Sequence, residues 1–299
     1  MLCRKLDLEG CRMQKYTAAV ITAGCLWGLM GLFTRTLATY GVDSMGAIVL
    51  RCGIAALLFA VTLLVRDPKQ FRIRFKDIWC FIGTGICSLL FFTYCYFQAI
   101  TIMDLSTAAV LLYTAPVWVA VFSRLLFRER ISPRKLSAIG VALTGTTLVC
   151  FSGGSLPGQT SVPGIACGLL TGICYASHYP FYRWWQSHYA TATIYGFMLA
   201  GGVLALWFCV PVSLDHEPRV WFWLAALGVT TTFFAYACYG QGLKRISLVR
   251  AAVTCHLEPV LSTLWVWLFW QENFSLAGWL GSGLVLAAVL LLTTDKSRD

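Results

Sequence analysis

Residues 239–283 read YGQGLKRISLVRAAVTCHLEPVLSTLWVWLFWQENFSLAGWLGSG, and much of this is already spelled 143 positions earlier. Tyr239, Gln241, Ala251, Ala252, Val253, Pro259, Leu268, Glu272 and Gly283 match Tyr96, Gln98, Ala108, Ala109, Val110, Pro116, Leu125, Glu129 and Gly140 without a gap. Self-similarity at a fixed, long offset marks an internal repeat. A weaker match at offset 148 pairs Gly24 with Gly172 and Arg35 with Arg183. Each half of the chain therefore carries the same unit. In a membrane chain, Pro at corresponding points of two hydrophobic halves points to a transport site.

The membrane assignment rests on composition. Of 299 residues, 58% are hydrophobic and only 12% charged, against roughly 25% charged in an average soluble domain. Apolar runs recur at about 20 residues, the length that crosses roughly 30 Å of hydrocarbon. The net charge of +10 is explained by basic residues gathered in short loops between spans, which excludes nucleic acid as the natural partner. Eleven of the thirteen cysteines lie inside apolar runs, where Cys behaves as a small hydrophobe. With no Cys-x-x-Cys and an odd total, neither a disulfide framework nor a zinc site is expected.

The fold expected is all-α and polytopic, with spans near 17–39, 44–65, 77–100, 104–123, 134–151, 163–184, 191–212, 221–242, 246–269 and 275–293. Residues 1–16 read as a cytoplasmic tail, since they lack the apolar core and cleavage site of a signal peptide. The repeats then cover 17–151 and 163–293. Between them the Gly/Pro/Ser-rich stretch 152–162 reads as a linker, and 294–299 form a second short tail. Gly164, Gly168 and Gly172, and likewise Gly24 and Gly28, recur every four residues, a spacing that lets helix backbones approach closely. That packing is expected within one chain, and either a monomer or a homodimer is compatible with it.

Lys and Arg collect on the cytoplasmic side of membrane proteins. With both termini inside the cell membrane, twenty of the 23 basic residues fall on that side and only Arg219 falls outside; Arg35 and Arg51 lie within spans. The loop after the fourth span holds Arg124, Arg128, Arg130, Arg134 and Lys135, while its repeat mate, 270–275, holds none. The loop after the third span has none, while its mate has Lys244 and Arg245. Five spans per repeat is an odd number, so the second copy enters the membrane upside down: two inverted five-helix repeats.

Ionisable residues inside the membrane are costly and are functional candidates by default. Glu258 lies twelve residues into the ninth span, about 18 Å deep at about 1.5 Å per residue. A carboxylate there must be protonated, paired or in contact with water. Pro259 beside it and Pro116 in the first copy are expected to kink their helices. Arg51, about 10 Å in from the outer end of the second span, is a partner for Glu258 or for a substrate carboxylate; a snorkelling stem is the bland alternative. Arg35 and Arg250 read as interfacial anchors. His256 and His178 are candidates too, although a lone histidine in a span is more often a satisfied core residue. His178 is the stronger of the two, with Tyr175 and Tyr179 beside it. The spacing of His256 and Glu258 sets them about 200° apart on a helix, so no metal site is expected. Trp27, Tyr94, Tyr113, Tyr175 and Tyr236 share a depth near the midplane, as the walls of a pocket for a small organic molecule would.

Taken together, Gly242-Leu-Lys-Arg-Ile-Ser, Ala251-Ala252, Leu257-Glu258-Pro259-Val260, Glu272 and Gly281-x-Gly283 resemble an EamA repeat of the drug/metabolite transporter superfamily. Thr107-Ala-Ala-Val, Ala115-Pro116, Arg128-Glu129-Arg130 and Gly140 resemble a first copy, and Trp27-Gly28 and Arg51 also match the family's pattern. The resemblance implies ten helices around a central cavity, alternating access and secondary transport of small metabolites, often outward, with no cofactor. The first copy has Ala115 where the second has Glu258, so any carboxylate role is one-sided.

The function expected is secondary transport of a small amino-acid, amine or carboxylate solute, with a coupling proton as a further partner. Three competitors remain: proton-coupled efflux of cationic drugs through Glu258, a passive channel, and an intramembrane enzyme using His178, His256 and Glu258. The last lacks a nucleophile or metal spacing to support it.

Overall fold

The computed structural model describes residues 2–152, 161–271 and 275–293, with side chains described for all of these except 2–13, 266 and 270. The linker residues 153–160, the tail 294–299 and the repeat residue Glu272 lie outside the described residues.

Ten helical units follow one another. They are α1 (Gln14–Thr39), α2 (Ser44–Arg66), α3 (Phe75–Ile102), α4 (Leu105–Phe127), α5 (Pro133–Cys150), α6 (Val162–Trp185), α7 (Thr191–Trp207), α8 (Pro218–Leu243), α9 (Leu248–Phe269) and α10 (Leu276–Thr293). Seven are long and apolar enough to cross a membrane, and α7 is apolar but shorter. The helix that opens α1 already begins at Leu2, so the described part of the expected tail is continuous with the first span. Large apolar side chains such as Leu57, Val65, Leu125, Leu204 and Leu290 stand exposed on the outside. In water such a surface would aggregate; against lipid tails it is at home.

Local features recur between the halves at the sequence offset. Asp104 caps α4 by accepting from the Thr107 amide, and Ser247 caps α9 by accepting from the Arg250 amide. Arg128 (φ 55°) and Gln271 (φ 52°) adopt the left-handed conformation that ends their helices. A π-helical segment interrupts α3 at Ile86–Phe91 and α8 at Gly228–Phe234. Both α4 and α9 are in two pieces, Leu105–Leu112 with Ala115–Phe127, and Leu248–Thr254 with Leu257–Trp270.

Those breaks correct the expectation for the two prolines. Pro116 and Pro259 do not kink a continuous helix; each stands in the first turn of its second piece. The first amides of a helix have no intrahelical acceptor, so a residue without an N–H costs nothing there.

Packing follows the small residues. Cβ atoms built on Gly145 and Gly281 would meet the other's carbonyl oxygen at 2.6 and 2.5 Å, so α5 and α10 touch backbone to backbone. Along α2 and α7, Gly46 faces Pro211, Gly53 faces Val203 and Phe59 faces Gly196; numbers rise on one helix as they fall on the other. α2 and α7 thus lie antiparallel. Gly172 abuts the Leu111 carbonyl, and Gly24 abuts that of Thr254, so these glycine stripes serve contacts within the chain. Arg250 is only 3% exposed, which corrects its expected role as an anchor facing headgroups.

Candidate transport site

At mid-height a cavity of about 100 Å³ opens among α1, α2, α3, α4, α6, α8 and α9. Since about 10–15 Å³ of this kind admits one water, the space holds several waters or one small solute.

The irregular stretches shape it. The breaks of α4 and α9 bring Tyr113, Pro116, Cys255, His256 and Glu258 to its wall, and the π segment of α3 supplies Ser88 and Leu89. Non-helical backbone at membrane depth is tolerated where it lines such a cavity. The second pieces of α4 and α9 also start here, so the positive ends of two helix dipoles lie at the cavity.

Of the residues singled out from sequence, the cavity gathers Trp27, Arg51, Tyr113, Pro116, Tyr175, His178, Tyr236, His256 and Glu258. Tyr94 is not among them. It is 57% exposed, on the outer surface, because depth along a helix says nothing of direction around it. Pro259 is buried behind Glu258 and does not line the space. Sequence reasoning left out Tyr239, Met30 and Phe92, which do line it. Tyr239 was legible: it lies three residues after Tyr236, hence on the same helix face.

The walls are aromatic. Trp27 packs on Tyr236 and Tyr239 with ring centroids 5.6 and 5.0 Å apart, and Phe92 meets Tyr175 at 5.7 Å. His178 stacks on Tyr195, and its Nε2 is 3.1 Å from the Tyr195 hydroxyl. His178 also stacks on Tyr182, whose hydroxyl donates to the Gly240 carbonyl at 2.7 Å and pairs with Thr191 at 2.9 Å. His178 is thus a satisfied interior residue as well as a lining one.

Two charges share the cavity. Arg51 donates from Nη1 to the Thr232 hydroxyl at 3.4 Å, a contact that uses one of five guanidinium donors. Glu258 is half-buried, with Arg51 and Tyr113 acting on its carboxylate. No direct ion pair within 4.0 Å joins Arg51 to Glu258 among the described residues. Nor, among those residues, does any group of three or more His, Cys, Asp or Glu stand ready for a metal ion. The cavity therefore offers a carboxylate acceptor and a guanidinium donor cluster with no direct ion pair between them among the described residues.

A family model described as the EamA-like transporter family matches residues 14–151 and again 162–294. The chain belongs to that family. An uncharacterised transporter of Archaeoglobus fulgidus is 26% identical over 276 residues, covering 92% of this chain and 94% of that one. The pseudopaline exporter of Pseudomonas aeruginosa is 28% identical over 295 residues, covering 93% and 98%. An aromatic amino acid exporter of Ancylobacter novellus is 29% identical over 192 residues, covering 60% and 64%. A solved crystal structure shares the fold, with a TM-score of 0.80 at 22% identity over 94% of this chain and 96% of that one.

As an EamA protein, the chain is a multi-pass membrane transporter of a small molecule and not an enzyme. The residues that carry the resemblance to that family do not all lie in one place. Trp27, Arg51, Pro116 and Glu258 are at the cavity. Glu129 instead pairs with Arg183 at 3.8 Å, and Arg183 donates to the Leu243 carbonyl, tying α4, α6 and α8 together away from it.

Proposed function

We propose that this protein exports a small amino-acid-type zwitterion by alternating access, with Arg51 holding the solute's carboxylate and Glu258 its ammonium. The observation that carries this reading is the pair of opposite charges lining one aromatic cavity without a direct contact. A buried guanidinium and carboxylate left incompletely paired are costly, and a solute carrying both charges would complete each. The aromatic walls suit an apolar side chain between the poles. The names of two relatives, exporters of pseudopaline and of aromatic amino acids, support the class and the direction. The antiparallel packing of α2 on α7 and of α5 on α10 supports inverted repeats, since a two-fold axis that exchanges antiparallel mates lies across them.

Counterflow into liposomes loaded with L-phenylalanine tests this proposal. Saturable exchange of labelled phenylalanine, abolished in both Glu258→Gln and Arg51→Gln, is expected. Exchange of a quaternary amine that needs Glu258 but not Arg51 would favour the cation-efflux alternative, which the aromatic walls also suit.

A further inference from the structure

Resting on the cavity as the substrate site, we propose that Thr146 fixes His256 as its Nε2–H tautomer. This N–H then selects solutes that carry a hydrogen-bond acceptor remote from their charged group.

The inference starts on α5. Helical threonines commonly donate back to the carbonyl four residues earlier, and Thr144 and Thr147 do so, to Gly140 and Leu143. Thr146, fully buried between them, does not. Its hydroxyl makes one hydrogen bond, at 2.7 Å to His256 Nδ1. The hydroxyl proton has no other acceptor, so it is donated to Nδ1. A neutral imidazole has one donor and one acceptor nitrogen; with Nδ1 accepting, the ring proton sits on Nε2. Among the described residues that atom has no hydrogen-bond partner although His256 is 2% exposed, and the residue lines the cavity. A buried donor left unpaired is costly, unless a solute arrives to use it.

The position of the donor sets what it reads. His256 is tied to α5, which packs on α10, whereas Arg51 sits on α2, tied to α8 and packed on α7. The two donors thus stand on different helices of the lining, His256 on α9 and Arg51 on α2. A zwitterion seated at Arg51 and Glu258 would extend its side chain toward His256. An oxygen at the end of that side chain, as in a phenol or a terminal amide, would accept from Nε2–H. A site built to hydrogen-bond a hydroxyl discriminates strongly against the analogue that lacks it.

The probes are L-tyrosine and L-phenylalanine, which differ by that hydroxyl, competed in proteoliposome counterflow. Wild type should prefer tyrosine by about tenfold or more. His256→Phe should bring the ratio of tyrosine to phenylalanine exchange down toward one, whatever its absolute rate. Thr146→Val should weaken it and Thr146→Ser restore it. Nitrogen-15 NMR of the imidazoles gives a readout independent of transport; the chain has four histidines, and His256→Phe assigns the signal. Protonated Nε2 is expected in wild type and Thr146→Ser, with a shift toward the other tautomer in Thr146→Val. An Nδ1–H tautomer in wild type, or an unchanged tyrosine preference in His256→Phe, would overturn the proposal. Failure of wild type to carry either amino acid would sink the amino-acid reading and the selection with it. The tautomer would still be decided by the spectrum.

Discussion

Glu258 concentrates the chemistry at the scale of single residues. An ionised carboxylate at the centre of a bilayer costs about 3 kcal/mol even on lenient scales, so its conservative removal separates function from fold. Glu258→Gln should leave insertion and melting temperature unchanged, cut transport by about tenfold or more and flatten its dependence on pH between about 5 and 8. A lower melting temperature with normal transport by the surviving protein would make the carboxylate structural. Arg51→Lys keeps the charge but loses the planar fork, and its transport should fall between wild type and Arg51→Gln. The charges were legible in sequence because an ionisable residue in an apolar run stands out by type alone. The aromatics were only partly so. Tyr94 and Tyr236 share a depth, and nothing in one sequence says that one turns outward and the other inward.

At the scale of helices the decisive contacts are between backbones. A side chain on Gly281 would strike the Gly145 carbonyl and the Val149 amide, neither of which can rotate away. Gly281→Val should therefore push α10 off α5 and destabilise the protein by about 1–3 kcal/mol, read as a lower melting temperature in detergent. Gly140 and Gly283 provide the contrast. They match across the repeat, yet no atom lies within 4 Å of a Cβ placed on either. Ala at these positions should be neutral or stabilising by up to about 1 kcal/mol. The spans themselves could be read from hydropathy. The π segments of α3 and α8 and the breaks in α4 and α9 could not, since each depends on how a neighbouring helix takes up freed backbone groups. Pro116 and Pro259 marked the right places for the wrong reason, as helix starts rather than kinks.

At the scale of the whole molecule, the charges lead to an orientation and an inversion that labelling can test. Basic residues crowd alternate loops, and the loop that is crowded in one repeat is bare in the other. In a background without native cysteines, one placed at Asp215 or Gln271 should react with an impermeant thiol reagent in intact cells. One at Arg130 or Lys244 should not. All four positions are exposed, whereas Ser247, the more obvious choice beside Lys244, is 2% exposed and would stay silent on either side. Labelling at Arg130 and Lys244 in sealed cells would overturn both the orientation and the inversion.

The unlike pairs at the 143-residue offset have a consequence of their own. In the inverted arrangement proposed above, exchanging the conformations of the halves would turn a cavity that faces one side of the membrane toward the other. Caps, helix breaks and left-handed turns present in both halves weigh equally in either posture. Among the many positions where the halves differ, Ala115 against Glu258 and Tyr113 against His256 have all four residues at the cavity wall. In the transport cycle proposed above, part of what sets the resting preference for one side of the membrane would lie inside the binding chamber, where a solute touches it directly.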